Sequence, residues 1–145
     1  MNVGEICVRS VSTAEPNESI REAARRMMQE SVGTLVVVDR RGDEKRPIGL
    51  LTDRDIITRG VAPSMDLDGS ALSMVMSVPV LTVGEDVAIE EALDKMTRKA
   101  VRRLVVIDDG GLLTGILALD DVLELVVSEI DAIGKLIVRH PPTYG

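Results

Sequence analysis

Residues 13–39 of this chain return at residues 82–108. A shift of 69 positions carries Thr13 onto Thr82, Ile20 onto Ile89, Glu22 onto Glu91, Ala23 onto Ala92 and Met27 onto Met96. The same shift carries Val32 onto Val101, Leu35-Val36-Val37 onto Leu104-Val105-Val106, and Asp39 onto Asp108. After Asp108 the shift becomes 66, and Gly49, Leu51 and Asp55 fall on Gly115, Leu117 and Asp121. Matches at fixed positions, broken by one loop-sized gap, mark a duplicated structural unit rather than compositional bias. Whatever this chain folds into has to be built twice.

Each copy shows the same succession of periods. Ile20, Ala23, Ala24, Met27 and Met28 recur at helical spacing, as do Ile89, Ala92, Leu93 and Met96. Ser19 with Glu22 makes a capping-box pattern before the first helix, whereas Ala88 brings no hydroxyl to the second. Two β-branched runs follow, Thr34–Val38 and Ile48–Thr52, around the polar loop DRRGDEKRP, and a further helix starts near Asp53. The predicted order is strand, helix, strand, strand, helix. Continuous apolar strands imply a sheet covered on both faces, which one small copy cannot achieve alone. The fold class is α/β (α+β), with repeat 1 at 1–60, a linker at 61–69 and repeat 2 at 70–133. A tail at 134–145 carries the sequence HPPTYG, whose prolines oppose a helix.

With one Tyr and neither Phe nor Trp, the core has to be aliphatic. The same lack removes the stacking platforms that single-stranded nucleic acid needs. A net charge of −7 disfavours broad binding to phosphate backbones or anionic membranes. One cysteine, Cys7, excludes an internal disulfide and a cysteine-cluster metal site. No basic segment followed by an apolar run opens the chain, and its apolar runs are too short to span a bilayer, so a cytoplasmic protein is expected.

The junction GLLTDRDII, Gly49–Ile57, carries more polarity than a helix start requires. Unpaired backbone N–H groups there attract anions. A threonine can add a hydroxyl for a phosphate, and a carboxylate one turn later can accept from a sugar diol. The plainer alternative is that Thr52 caps the helix and Asp55 complements its dipole. Arg102 and Arg103 precede the apolar run LVVID, where the first copy has Gly33 and Thr34. Adjacent residues entering a strand point to opposite faces, so one of the two arginines is expected on the helix-covered side. There it needs an anion or a place at the rim.

The paired stretches VGTLVVVD…PIGLLTDRDI and VRRLVVIDDGGLLTGILALDDV resemble a tandem pair of cystathionine-β-synthase (CBS) domains, a Bateman module. The resemblance runs from about residue 3 to about residue 130. It implies two copies packed sheet to sheet about a pseudo-twofold axis, with clefts between them for AMP, ADP, ATP or S-adenosylmethionine. By position it places Thr52 near a phosphate, Asp55 on a ribose, Asp121 on the ribose of a second cleft, and Arg102 and Arg103 at phosphates. The segments Cys7–Val11 and Ser77–Val80, with Val8, Val11, Val78 and Val80, match by position the stretch that faces adenine in the family, and Arg54 and Asp120 flank the two carboxylates. The second copy departs from the pattern with Ala118 where Ser or Thr is expected. Two arrangements fit: Arg102 and Arg103 replace the missing hydroxyl in the second cleft, or that cleft stays empty and one nucleotide draws on both copies.

Enzymatic chemistry lacks its constellation. His140 lies in the proline-rich tail, Cys7 stands alone, and no metal-ligand spacing is present. The resemblance implies a non-catalytic regulatory module that acts on an effector protein in trans or as a homodimer. Apolar residues at Ile56, Ile57, Val122, Leu123, Leu125, Val126 and Val127 of the second helices would supply the dimer contact. A degenerate pair kept for assembly alone is the alternative.

Overall fold

The computed structural model describes residues 1–139, and the predicted HPPTYG segment, 140–145, lies outside the described residues. The chain runs α1 (Val3–Ile6), β1 (Thr13–Ala14), α2 (Ile20–Glu30), β2 (Thr34–Arg41), β3 (Glu44–Thr52) and α3 (Asp53–Asp55). A π-helical segment, Ile56–Val61, continues α3, and a 3-10 turn, Leu72–Met74, opens the second half. Then come β4 (Thr82–Gly84), α4 (Ile89–Lys99), β5 (Arg103–Ile107), β6 (Leu113–Ala118) and α5 (Leu119–Arg139). In each half the first strand is parallel to the second and the second antiparallel to the third, giving two three-stranded sheets. This is the duplicated order that the periodicities predict.

Local chemistry explains the element ends. Ser19 accepts the Glu22 N–H at 3.1 Å at the head of α2, while Ala88 caps α4 with backbone alone. Both helices stop at left-handed residues, Ser31 (φ 55°) and Ala100 (φ 54°), which turn the chain into the next strand. Met28, predicted to lie on the buried face of α2, is exposed because it falls at the margin of the arc formed by Ile20, Ala23 and Met27. The stretch after Val38 is not a loop as predicted. β2 and β3 continue as a charged two-stranded ribbon that turns at Gly42 (φ +62°) and Asp43. Pro47, which cannot donate to the ladder, sits where the register slips beside Val38. At the other end α5 runs through position 134 to Arg139, so the predicted tail begins as helix.

Three aliphatic cores hold the molecule. The first lies under α2 and contains Ile20, Leu35, Val37 and Leu51; the second lies under α4 and contains Ile89, Leu104, Val106 and Leu117. The third joins the two sheets face to face through Val36, Val38 and Val105, flanked by Val11, Val80, Leu50 and Ile116. Every one of these contacts has a counterpart under the repeat shift, which is the pseudo-twofold relation.

The two halves also exchange their leading segments. Val3 is fully buried in the second core, and its N–H donates to the Val87 carbonyl at 2.8 Å. Leu72, its counterpart, is fully buried in the first core and donates to the Glu18 carbonyl at 2.8 Å. Farther on, Val8 bridges to Ile116 and Ser77 to Leu50. Burying each such aliphatic side chain contributes about 1.5–3 kcal/mol. Neither core is therefore complete without a segment from the other copy. The recurring glycines follow from this exchange. A Cβ on Gly115 would lie 2.8 Å from Cys7 Sγ and 2.9 Å from the Val8 carbonyl oxygen, and one on Gly49 would lie 2.9 Å from Met76 Sδ.

A candidate nucleotide cleft between the two repeats

The end of β3 and the entrance to β5 face one another across a cleft of about 340 Å³. Thr52, Asp55 and Leu50 line it from the first repeat, Val101, Arg102 and Arg103 from the second, and Ser77, Pro79 and Leu81 from the exchanged segment. The volume lies within the range of small-molecule sites, and apolar walls with a few convergent polar groups are typical of them.

Thr52 and Asp55 form a complete capping box. The Asp55 N–H donates to Thr52 Oγ1 at 3.1 Å, and the Thr52 N–H donates to Asp55 Oδ2 at 3.0 Å. The Ser77 hydroxyl donates to both carboxylate oxygens, at 3.2 and 3.3 Å. Among the described residues Asp55 is the one buried charged residue, at 8% exposure. The capping role and the ligand role weighed for this pair are therefore compatible. The Thr52 hydroxyl keeps its own proton to donate, and no acceptor among the described residues takes it. Two carboxylate oxygens can accept about four hydrogen bonds, so Asp55 has capacity left for a sugar hydroxyl.

Both arginines are exposed at the mouth of the cleft, the rim position that is the alternative to a bound anion. Arg102 precedes β5 and Arg103 opens it, where the sheet borders the open cleft instead of a helix. Arg102 makes an ion pair with Asp120 at 3.2 Å, and Arg103 has no ion-pair partner among the described residues. Asp120 thus reaches the site through Arg102 and does not line the cleft. Arg54 does not line it either. Of the segment expected to face adenine and its continuation, Ser77, Pro79 and Leu81 line the cleft while Val78 and Val80 do not: Val80 packs between the sheets and Val78 is 62% exposed. Positions 77, 79 and 81 face the cleft, so the predicted residues are out of phase by one. The resemblance includes Ser77 only as the first residue of the segment Ser77–Val80 and gives its hydroxyl no role, although it stands beside the GLLTDRDII strand in the fold. The available signal was the repeat shift, which pairs it with Val8.

The pseudo-equivalent positions of the other half lack this chemistry. Thr52, Ser77, Arg102 and Arg103 correspond to Ala118, Val8, Gly33 and Thr34. Val11 packs between the sheets and Val8 is half-exposed beside Ile116. Asp121 retains its carboxylate without a neighbouring threonine or serine hydroxyl. Asp53 closes over Gly33, where a Cβ would meet its Oδ2 at 3.1 Å, so a carboxylate stands where the first cleft has guanidinium groups. Elsewhere, burial pushes the Cys7 thiol above its ordinary value, which opposes thiolate chemistry. Among the described residues no three or more His, Cys, Asp or Glu side chains are grouped to hold a metal ion, and no helix is long and apolar enough to cross a membrane.

Two sheet-packed β-α-β-β-α repeats with a cleft at their seam define a paired-repeat module. The family model described as "CBS domain" matches residues 3–61 and 72–128, and the chain belongs to that family. It is 36% identical over 125 residues to an uncharacterized protein of Methanopyrus kandleri, covering 86% of this chain and 62% of that protein. It is 37% identical over 120 residues to the CBS domain-containing protein YhcV of Bacillus subtilis, covering 83% of this chain and 81% of YhcV. Among solved structures it is similar to a CBS domain protein of Pyrobaculum aerophilum complexed with AMP, with 30% identity and a TM-score of 0.74. That similarity covers 88% of this chain and 99% of the other.

Proposed function

We propose that this protein is a non-catalytic regulatory module that binds one adenosine phosphate, AMP or ADP foremost and ATP next, in the cleft between its repeats. The observation that carries the reading is the meeting of Thr52 and Asp55 from one repeat with Arg102 and Arg103 from the other. A nucleotide seated there has its ribose diol on Asp55 and its phosphate between the Thr52 hydroxyl and the two guanidinium groups. Charge-assisted bonds from arginine are roughly twice as strong as neutral ones, so the phosphate end dominates the affinity. The same two arginines disfavour S-adenosylmethionine, which is cationic at sulfur.

A ligand held by both repeats favours one relative placement of the two sheets, and this differential binding is what a partner reads. Self-association through the faces carrying Ile57 and Leu123 belongs to the same reading; of the predicted contact residues, Ile56 and Val122 are instead buried in the module. Relatives of the fold support it, since the Pyrobaculum protein holds AMP. Isothermal titration against AMP, ADP, ATP and S-adenosylmethionine tests the proposal. Saturable binding of at least one adenosine phosphate, tighter than that of S-adenosylmethionine, is expected; heat-silent and displacement-silent titrations with all the phosphates would refute it.

A further inference from the structure

The helical stretch that carries Asp55 widens directly behind it. From Ile56 to Val61 it takes π spacing, and the Ala62 N–H donates to the Ile57 carbonyl at 2.9 Å. The second repeat keeps a plain α-helix over the equivalent residues 122–127, and π turns recur at functional sites. On the widened turn stands Arg59, where the repeat shift puts Leu125. Its Nη1 donates to the Val75 carbonyl at 3.4 Å and to the Met76 carbonyl at 3.3 Å. These two carbonyls follow the 3-10 turn Leu72–Met74, and among the described residues they accept from no other group. Basic side chains commonly satisfy the last carbonyls of a helical turn. The next residue is Ser77. Its N–H donates to the Leu50 carbonyl at 2.7 Å, and its hydroxyl holds both oxygens of Asp55. The bonds thus close a ring that starts and ends on one helical stretch, from Arg59 through residues 75–77 to Asp55.

We infer that Arg59 is a positioning residue of the nucleotide cleft, which holds Ser77 so that the Asp55 carboxylate meets a ribose diol. This role rests on the proposed function and adds the residue that sets its ribose end. Arg59 does not line the cleft, so it acts only through the segment it grips. Val75, buried in the first core, fixes one end of that segment, and the pairing of Ser77 with Leu50 fixes the other. The other half keeps neither member of the device: Leu125 stands at the place of Arg59 and Val8 at that of Ser77. Guanidinium and hydroxyl are therefore present together or missing together. Arg59 is exposed, so water competes for its donors and its effect on affinity is several-fold rather than total.

Isothermal titration with AMP and with 2′,3′-dideoxy-AMP, which lacks the diol, tests the role in the wild type, Arg59→Met and Arg59→Lys. Arg59→Met keeps an unbranched side chain and removes its donors. It is expected to weaken AMP binding by about three- to tenfold, the worth of one hydrogen bond, and to leave the dideoxy ligand nearly unchanged. Arg59→Lys still donates to a carbonyl and should restore most of the difference. A contact that served folding alone would lower both affinities together or neither. In the nucleotide-free protein the amides of Ser77 and Leu50, which bond one another's carbonyls, should exchange hydrogen faster in Arg59→Met than in the wild type. Arg59→Gln replaces Arg59→Met in both measurements should the latter fail to fold. A wild type that binds no adenosine phosphate overturns the proposed function and the ribose role with it. Binding with an AMP-to-dideoxy ratio that the variant leaves unchanged, or unchanged protection at Ser77, overturns the role of Arg59 alone.

Discussion

Asp55 is held by the Thr52 amide and the Ser77 hydroxyl before any ligand is considered, so changes there act on folding and on binding together. Ser77→Ala removes one hydroxyl from a nearly buried carboxylate and is expected to lower stability by about 0.5–1.5 kcal/mol, read from urea midpoints. The arginines divide differently. Arg102 already faces Asp120, whereas Arg103 has no such partner, so Arg103→Ala is expected to cost more phosphate affinity than Arg102→Ala. It should also flatten the salt dependence of binding, which titrations at low and high salt would reveal; equal losses would mean that the Asp120 pair does not hold Arg102 back. Ala118→Thr, across the ladder from Arg103, should change affinity by no more than several-fold, the worth of one neutral hydroxyl bond. Thr52, Asp55 and the two arginines were legible because each is an unusual residue type at a repeated position. Ser77 was not, since a serine before Val78 and Pro79 carries no local signal, and its partner is 22 residues away in sequence.

Helices and strands were legible wherever one period ran uninterrupted, as in Ile20–Met27 or Leu104–Val106. The charged ribbon of β2 and β3 was not, because Arg40, Arg41 and Lys45 read as loop although the hairpin ladder pairs them. The exchange of leading segments was also hidden. It depends on Val8 meeting Ile116 and Ser77 meeting Leu50, and no local pattern encodes such pairings. Gly115→Ala tests that exchange. With the Val8 carbonyl oxygen 2.9 Å from the added Cβ, backbone has to shift, and a loss of about 1–3 kcal/mol is expected in chemical denaturation. An unchanged midpoint would mean that the segment gives way freely. On α2, Arg26 donates twice to Glu18, at 2.6 and 2.8 Å, and once to the Thr13 carbonyl at 2.9 Å, which ties the helix to β1. The Arg26 guanidinium holds the Glu18 carboxyl below its ordinary value near 4.5. The folded pKa is the lower one, so the stabilisation is complete above the unfolded value and is lost as pH falls through the folded one. Glu18→Gln should therefore cost at most about 1 kcal/mol at neutral pH and nothing in strong acid. A penalty independent of pH would contradict this assignment. Lys95 makes the corresponding contact with the Thr82 carbonyl without a carboxylate partner among the described residues, since Val87 stands where Glu18 does.

At the scale of the whole molecule the duplication has kept its architecture and divided its chemistry. The cores, the exchanged segments and the glycines match between halves; the hydroxyls of Thr52 and Ser77 and the cleft-facing guanidinium groups have no counterpart at the other cleft, where Thr34 stands in place of Arg103. Asp53 over Gly33 and the absence of hydroxyls at positions 8 and 118 oppose an anion at the other. That asymmetry is the central claim, because under the proposed function it would make a single nucleotide the bridge between repeats. Isothermal titration of the wild type, Asp55→Ala and Asp121→Ala with AMP, or with ADP should that prove tighter, tests it most directly. The expected result is one ligand per chain, affinity reduced by about 1.5–3 kcal/mol in Asp55→Ala, and little change in Asp121→Ala. Two equivalent ligands per chain, or an Asp121→Ala variant that loses binding while Asp55→Ala keeps it, would contradict the account.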